Sequence, residues 1–214
     1  MYEICKMNVL VVAATELEIE PFLATNKHAE ILITGIGAPA TMFHLTKKLT
    51  DNKFNLIIQA GIAGAFANSL ALGSVVIIKR DAFADLGIYE KEKFYTLPDA
   101  GFSDKNEFPF EDGWLVNKSV SFDDLRLSLT DSITVNTVTD DKKRIELLHK
   151  KFNASAESME GAAFHYVCLQ FQTKFLQLRS ISNIVGERDK KNWKMKEAIK
   201  NLNDELIKIV EHFK

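Results

Sequence analysis

The alternation of short Val- and Ile-rich runs with segments of helical period most constrains the fold of this chain. VLVVAA, AEILITG, NLIIQAG, SVVIIKR, SITVNTV and KFLQLRSIS have the length and β-branched content of strands. Between them, TMFHLTKKL, DDKKRIELLHKKF and MEGAAFHYVCLQF space their apolar residues three and four apart, as half-buried helices do. From Met195 onward, Ala198, Ile199, Leu202, Leu206, Ile209, Val210 and Phe213 form one apolar stripe, which predicts a last helix docked on the sheet. Such alternation predicts an α/β fold on a mainly parallel sheet with helices on both faces. With 214 residues, 46% of them hydrophobic, one domain over 1–214 fits and two would be a squeeze. Several strands end in Gly or a small polar residue. In open α/β sheets, ligands gather at the carboxyl ends of strands.

The stretch from Ala82 to about Asp124 breaks the pattern with Pro98, Pro109, several Gly and the cluster FPFEDGW. An excursion of that length predicts a lid, a binding loop or an interface. The formal charge of -2 gives no basic field of the kind that nucleic acid or an anionic membrane selects, so a small-molecule partner is expected. The two cysteines, Cys5 and Cys168, are too few for a disulfide framework, and Cys168 lies in the apolar run AAFHYVC. Both are expected to be reduced, which points to the cytoplasm. No apolar run is long enough to span a bilayer, and the apolar part of MYEICKMNVLVVAA reads as a strand and not as a signal peptide.

Three glycine-bearing strand ends, TGIGAPA, QAGIAGAF and ALGSV, let backbone approach a ligand, yet GIG lacks the third Gly of a dinucleotide fingerprint and no Walker pattern follows. Glu16, Glu18 and Glu20 stand in ATELEIEPF after the first strand. A charge at a helix start is ordinarily solvated, which accounts for Glu16 and Glu20. Glu160, in AESMEGAAF, passes from a strand into an apolar helix, so its carboxylate is expected to be partly enclosed and available to a ligand hydroxyl. His28, His44, His149, His165 and His212 show no metal spacing and read as surface or helix histidines. There is no GxSxG elbow for a hydrolytic serine.

Taken together, ATELEIEPF, GIG, QAGIAGAF, AESMEGAAF and RSISN resemble the nucleoside phosphorylase and nucleosidase superfamily, in the branch of the methylthioadenosine nucleosidases, along nearly the whole chain. The resemblance implies a three-layer α/β/α sandwich with a central mixed, partly closed sheet. It also implies a homodimer or higher homo-oligomer and hydrolysis of an N-glycosidic bond without metal or cofactor. Matched motif by motif, it assigns Glu18 as the carboxylate that activates water and Arg179 as a residue that helps hold that water. Met159 then packs under the sugar and Glu160 accepts from ribose hydroxyls, while Ile62, Gly64 and Ser182 line the site. The chemistry agrees: glycosidic cleavage passes through an oxocarbenium-like state, which a carboxylate on the sugar hydroxyls stabilises while a second guides water.

Two departures sharpen the reading. The methylthioadenosine branch carries Asp after the Ser of RSIS, whereas this chain has Asn183, whose amide both donates and accepts. It can give N–H to O6 and accept from a protonated N7, which suits a 6-oxopurine such as hypoxanthine and not adenine. Ile62 stands where nucleosidases commonly carry a small hydroxyl residue, which weakens the case for a bound phosphate nucleophile. Asn183 with the downstream SNIVGERDKKNW resembles futalosine hydrolases, which release hypoxanthine from futalosine on a route to menaquinone. On that resemblance Phe102, Phe108, Phe110 and Trp114 are expected to cover the apolar carboxyphenyl end of the substrate, across a dimer interface if need be. Arg188 or a nearby Lys is expected to meet its carboxylate. The alternatives are a purine nucleoside phosphorylase, a methylthioadenosine/S-adenosylhomocysteine nucleosidase, or a nucleoside-binding protein without turnover.

Overall fold

The computed structural model describes residues 7–26, 28–67, 69–121 and 125–213. Cys5 and the end of the excursion at Asp124 lie outside them. In chain order the elements are β1 (Val9–Ala13), α1 (Glu16–Thr25), β2 (Glu30–Ile33), α2 (Ala38–Asp51), β3 (Leu56–Ala65), β4 (Val75–Phe83), β5 (Gly87–Glu90), β6 (Lys93–Thr96), β7 (Leu115–Val116), β8 (Ser128–Thr134), α3 (Lys142–Phe152), β9 (Ala156–Ser158), α4 (Gly161–Gln170), β10 (Phe175–Ile184) and α5 (Met195–His212).

The main sheet runs β10-β4-β8-β9-β3-β1-β2, and β10 also pairs with β3, so part of it closes on itself. The mixed, partly closed α/β sheet expected from the resemblance is present. β1 pairs in parallel with β2 and β3, β3 with β10, and β8 with both β4 and β9. The antiparallel partners, β4 with β10 and β9 with β3, close the ring. The reversal at β4 follows from chain length: the residues between Ala65 and Val75 are too few for a helical crossover, so the strand returns antiparallel.

Both faces of the open part are covered, which explains the nearly continuous apolar runs. On β1, Val9, Val11 and Ala13 face one core with Ile58, Leu178, Leu202 and Leu206, while Leu10 and Val12 face the other with Leu45, Ile57, Phe164 and Phe175. The predicted stripe of α5 supplies the first core. No helix among the described residues is long and apolar enough to cross a membrane.

Two expectations change. SITVNTV is strand only as far as Thr134, and the chain then leaves the sheet, carrying Val138 and Thr139 to the site. The excursion after Ala82 is not irregular throughout: it contains the β5–β6 hairpin, and β7 pairs with β4. Its aromatic residues also divide. Trp114 is buried edge-on against Phe152, with the Arg80 guanidinium 4.2 Å from its ring centre. Phe110 meets Tyr166 at 6.0 Å, and Phe102 and Phe108 are 71% and 62% exposed.

Candidate active site

A cavity of about 340 Å³ opens at the carboxyl ends of β1, β3, β9 and β10. Glu18, Ile62, Gly64, Met159, Glu160, Ser182 and Asn183 all lie on its wall. Arg179 does not: it is 1% exposed and sits one layer behind. Arg188 reaches the wall near the rim, with Glu187 and Trp193. Phe102, Phe108, Phe110 and Trp114 are not on it, so within one chain they do not cover a substrate tail. Leu17, Ile36 and Val138 on its wall are exposed hydrophobic residues.

Glu18 is in the first turn of α1, where a carboxylate favours the positive end of the helix. Its Oε2 accepts from the Thr15 N–H at 3.0 Å and the Thr15 hydroxyl at 3.1 Å, and its Oε1 accepts from the Ile62 N–H at 3.1 Å. Burial pushes its pKa up, partly opposed by the Arg179 charge and the Ile62 N–H. α1 contains Pro21 and non-helical angles at Ile19, and the Asn203 amide of α5 inserts into its broken ladder. Asn203 Oδ1 accepts from the Phe22 N–H at 3.0 Å, and Nδ2 donates to the Glu18 carbonyl at 2.9 Å. These are the two groups that a regular helix would bond to each other.

Glu160 caps α4, and its Oε1 accepts from the Gly37 N–H at 2.9 Å at the start of α2. Its Oε2 lies 3.8 Å from Arg179 Nη2, which donates to Gln59 Oε1 at 3.0 Å. One buried cation therefore stands behind both site carboxylates.

Ser182 and Asn183 reach the same cavity because β10 bulges there. Ile181 pairs with Ala63 and Asn183 with Gly64, leaving Ser182 as the extra residue. In an unbroken pleat, neighbours point to opposite faces; a bulge re-aims them. The Ser182 hydroxyl donates to Asn183 Oδ1 at 2.8 Å, and Asn183 Nδ2 donates to the Ile184 carbonyl at 2.9 Å. A carbonyl only accepts, so the second contact sets which way the amide faces. One hydrogen on Nδ2 and one lone pair on Oδ1 remain for a ligand.

The family model of the phosphorylase superfamily matches residues 18–213. The chain belongs to that superfamily. A futalosine hydrolase of Thermus thermophilus is 30% identical over 174 residues, which is 80% of this chain and 76% of the relative. A 5'-methylthioadenosine/S-adenosylhomocysteine nucleosidase of Bacillus subtilis is 29% identical over 163 residues, 73% of this chain and 68% of the relative. The solved structure of futalosine hydrolase of Helicobacter pylori strain 26695 has a TM-score of 0.80 at 18% identity, covering 97% of this chain and 98% of that one. These lines of similarity agree with the fold above.

Beneath this superfamily site lies polar support that the sequence did not single out. Asp81, fully buried, accepts from the Thr134 hydroxyl at 2.9 Å, the Ala82 N–H at 2.9 Å and Gln177 Nε2 at 3.2 Å; burial still pushes its pKa up to about 6. It sits under the first turn of α4. A Cβ on Gly161 would come 2.1 Å from Asp81 Oδ2, so the bare residue lets α4 approach and sets the height of Glu160. His165 holds the Leu115 carbonyl at 2.9 Å through Nδ1, and burial keeps its pKa down near 4, so it is a neutral helix histidine.

Gly61 is a second glycine that leaves no room for a side chain. A Cβ there would lie 2.3 Å from Arg179 Nη1 and 3.0 Å from Glu18 Oε1. Arg179 is enclosed and cannot move aside cheaply. Gly61→Ala is therefore expected to cost about 1–3 kcal/mol of stability by overpacking and to lower kcat by about 100-fold through displacement of Arg179 and Glu18. Thermal denaturation and steady-state kinetics read the two effects; kcat within threefold of wild type would overturn the expectation.

Proposed function

We propose that this chain hydrolyses the N-glycosidic bond of futalosine, releasing hypoxanthine, in the cytoplasm and on a route to menaquinone. The reaction class is the broader part: the chain is a nucleosidase-type N-glycosyl hydrolase. The choice of base rests on Asn183, whose free hydrogen and free lone pair match O6 and a protonated N7 of a departing 6-oxopurine.

In this reading Glu18 takes a proton from the attacking water, and Arg179 holds Glu18 and Glu160 in place from behind. Glu160 Oε2, which accepts no hydrogen bond among the described residues, accepts from ribose hydroxyls and strengthens that hold as positive charge grows on the sugar. Met159 packs under the ring, and Ile62 contributes its backbone N–H to Glu18. At the rim, Arg188 meets the carboxylate of the substrate, and Leu17 and Ile36 give its aryl group apolar contact. The aromatic residues of the excursion contribute only from a second copy of the chain.

The deciding experiment is chromatographic detection of free hypoxanthine from futalosine in phosphate-free buffer, with inosine and methylthioadenosine alongside. Release of hypoxanthine from futalosine at a kcat/KM at least about tenfold above the other two is expected. A strict need for phosphate with ribose 1-phosphate as product, or preference for methylthioadenosine, would sink the proposal.

A further inference from the structure

The carboxylates of the site differ in how they are satisfied. Glu18, Glu160 and Asp81 each accept at least one hydrogen bond. Glu157 is 8% exposed and lies on the same cavity wall, yet among the described residues it has no hydrogen-bond donor and no cation within ion-pair distance. A carboxylate that is buried without a donor is costly, and such a group is commonly waiting for one.

Its position says which part of a ligand would supply the donor. Glu157 is the middle residue of β9, paired with Gly64 of β3 on one side and Ile133 of β8 on the other. Gly64 is also the partner of Asn183, and a Cβ on Gly64 would stand 3.3 Å from Asn183 Nδ2. Glu157 and Asn183 therefore flank one residue of β3, on the base side of the cavity. If Asn183 takes the N7 and O6 edge, the donor left on the six-membered ring of a 6-oxopurine is N1–H, adjacent to O6. Adenine carries a lone pair at N1 instead.

We propose that Glu157 is a specificity residue that accepts a hydrogen bond from N1–H of a 6-oxopurine base and turns away adenine. This deepens the futalosine reading and rests on it for the orientation of the base. Burial pushes the Glu157 pKa up to about 7, with Asp85 raising it further and Arg144 opposing. The charged groups acting on it are thus Arg144 of α3 and Asp85 after β4, while Glu18, Glu160, Glu187 and Arg188 share the cavity. Above that pKa the ionised carboxylate accepts from N1–H of hypoxanthine; below it, the protonated acid donates to N1 of adenine. Preference for hypoxanthine over adenine therefore rises with pH across neutrality.

The test is calorimetric binding of hypoxanthine, 1-methylhypoxanthine and adenine to the full chain between pH 6 and 8.5, for wild type and Glu157→Gln. Wild type at the upper end should bind hypoxanthine about tenfold or more tighter than 1-methylhypoxanthine or adenine, as expected for a charged hydrogen bond. Glu157→Gln, whose amide can turn to accept or donate, should bring hypoxanthine and adenine within about threefold and remove the pH dependence of that ratio. Equal wild-type affinity for hypoxanthine and its 1-methyl form, no binding of any base, or an unchanged ratio in Glu157→Gln overturns the proposal. If the variant does not fold, the wild-type comparison alone decides. N1–H-dependent binding of hypoxanthine without hydrolysis of futalosine would remove the functional reading and leave the role of Glu157 standing.

Discussion

Glu18→Gln is expected to lower kcat for nucleoside hydrolysis by about 10³, within the range that a positioned general base supplies. The substitution keeps the volume of the side chain and removes two things. The amide cannot take a proton from water, and one of its ends is an NH2 group facing the N–H of either Thr15 or Ile62, both of which now donate to Glu18. KM is expected to stay within about threefold, because the proposed reading gives the sugar and the base to other residues. The pH profile adds a second readout. Since burial raises the Glu18 pKa and the base must be ionised to act, wild-type activity falls on acidification at a pH above the ordinary range for Glu, and that limb disappears in Glu18→Gln. A kcat within tenfold of wild type would remove Glu18 from the chemistry.

Asn183→Asp should have the next largest effect, on selectivity. In the wild type the Ile184 carbonyl accepts from Nδ2 and the Ser182 hydroxyl satisfies Oδ1. A carboxylate can keep the second contact, but only a protonated acid can donate, and its single proton must leave the Ile184 carbonyl to serve N7 of adenine. Loss of the N–H proposed to meet O6 would leave a buried oxygen facing an oxygen, a mismatch that such sites reject by several orders of magnitude. The ratio of kcat/KM for futalosine to that for methylthioadenosine is expected to fall by about 10³ in this variant. Kinetics on both substrates measure it, and an unchanged ratio would show that the base is read elsewhere.

The layered α/β fold was legible because both of its signals are local. β-branched runs and three-four spacing follow from backbone geometry, and the α5 stripe matches the residues that fill the core, such as Leu202 and Leu206. The motif residues that meet at the cavity were legible through the resemblance, since SMEGAAF and RSISN each carry two of them. The closure of the sheet was not, because pairing of β4 with β10 and of β9 with β3 joins residues far apart in the chain. Val138 was hidden inside SITVNTV, with Thr139 directly after it, where β-branched residues look alike in a strand and in an extended loop. Glu157 was overlooked for a related reason: one acid in a three-residue strand reads as a solvated charge until its neighbours are known. Gly61 and Gly64 are alike in AGIAG, and only the folded surroundings, Arg179 and Glu18 against Gly61 but Val185 and Asn183 against Gly64, distinguish them.

The Asn203 amide inserted into α1 bears on the order in which the molecule becomes competent. Glu18 belongs to the first helix, while the side chain that fills the gap in that helix arrives 185 residues later. On the ribosome, strands already made can pair, but the turn that presents Glu18 is left with two unbonded backbone groups until α5 emerges. The clasp on α1 is therefore a late event in synthesis: a nascent chain that has completed every strand still lacks the side chain that steadies Glu18.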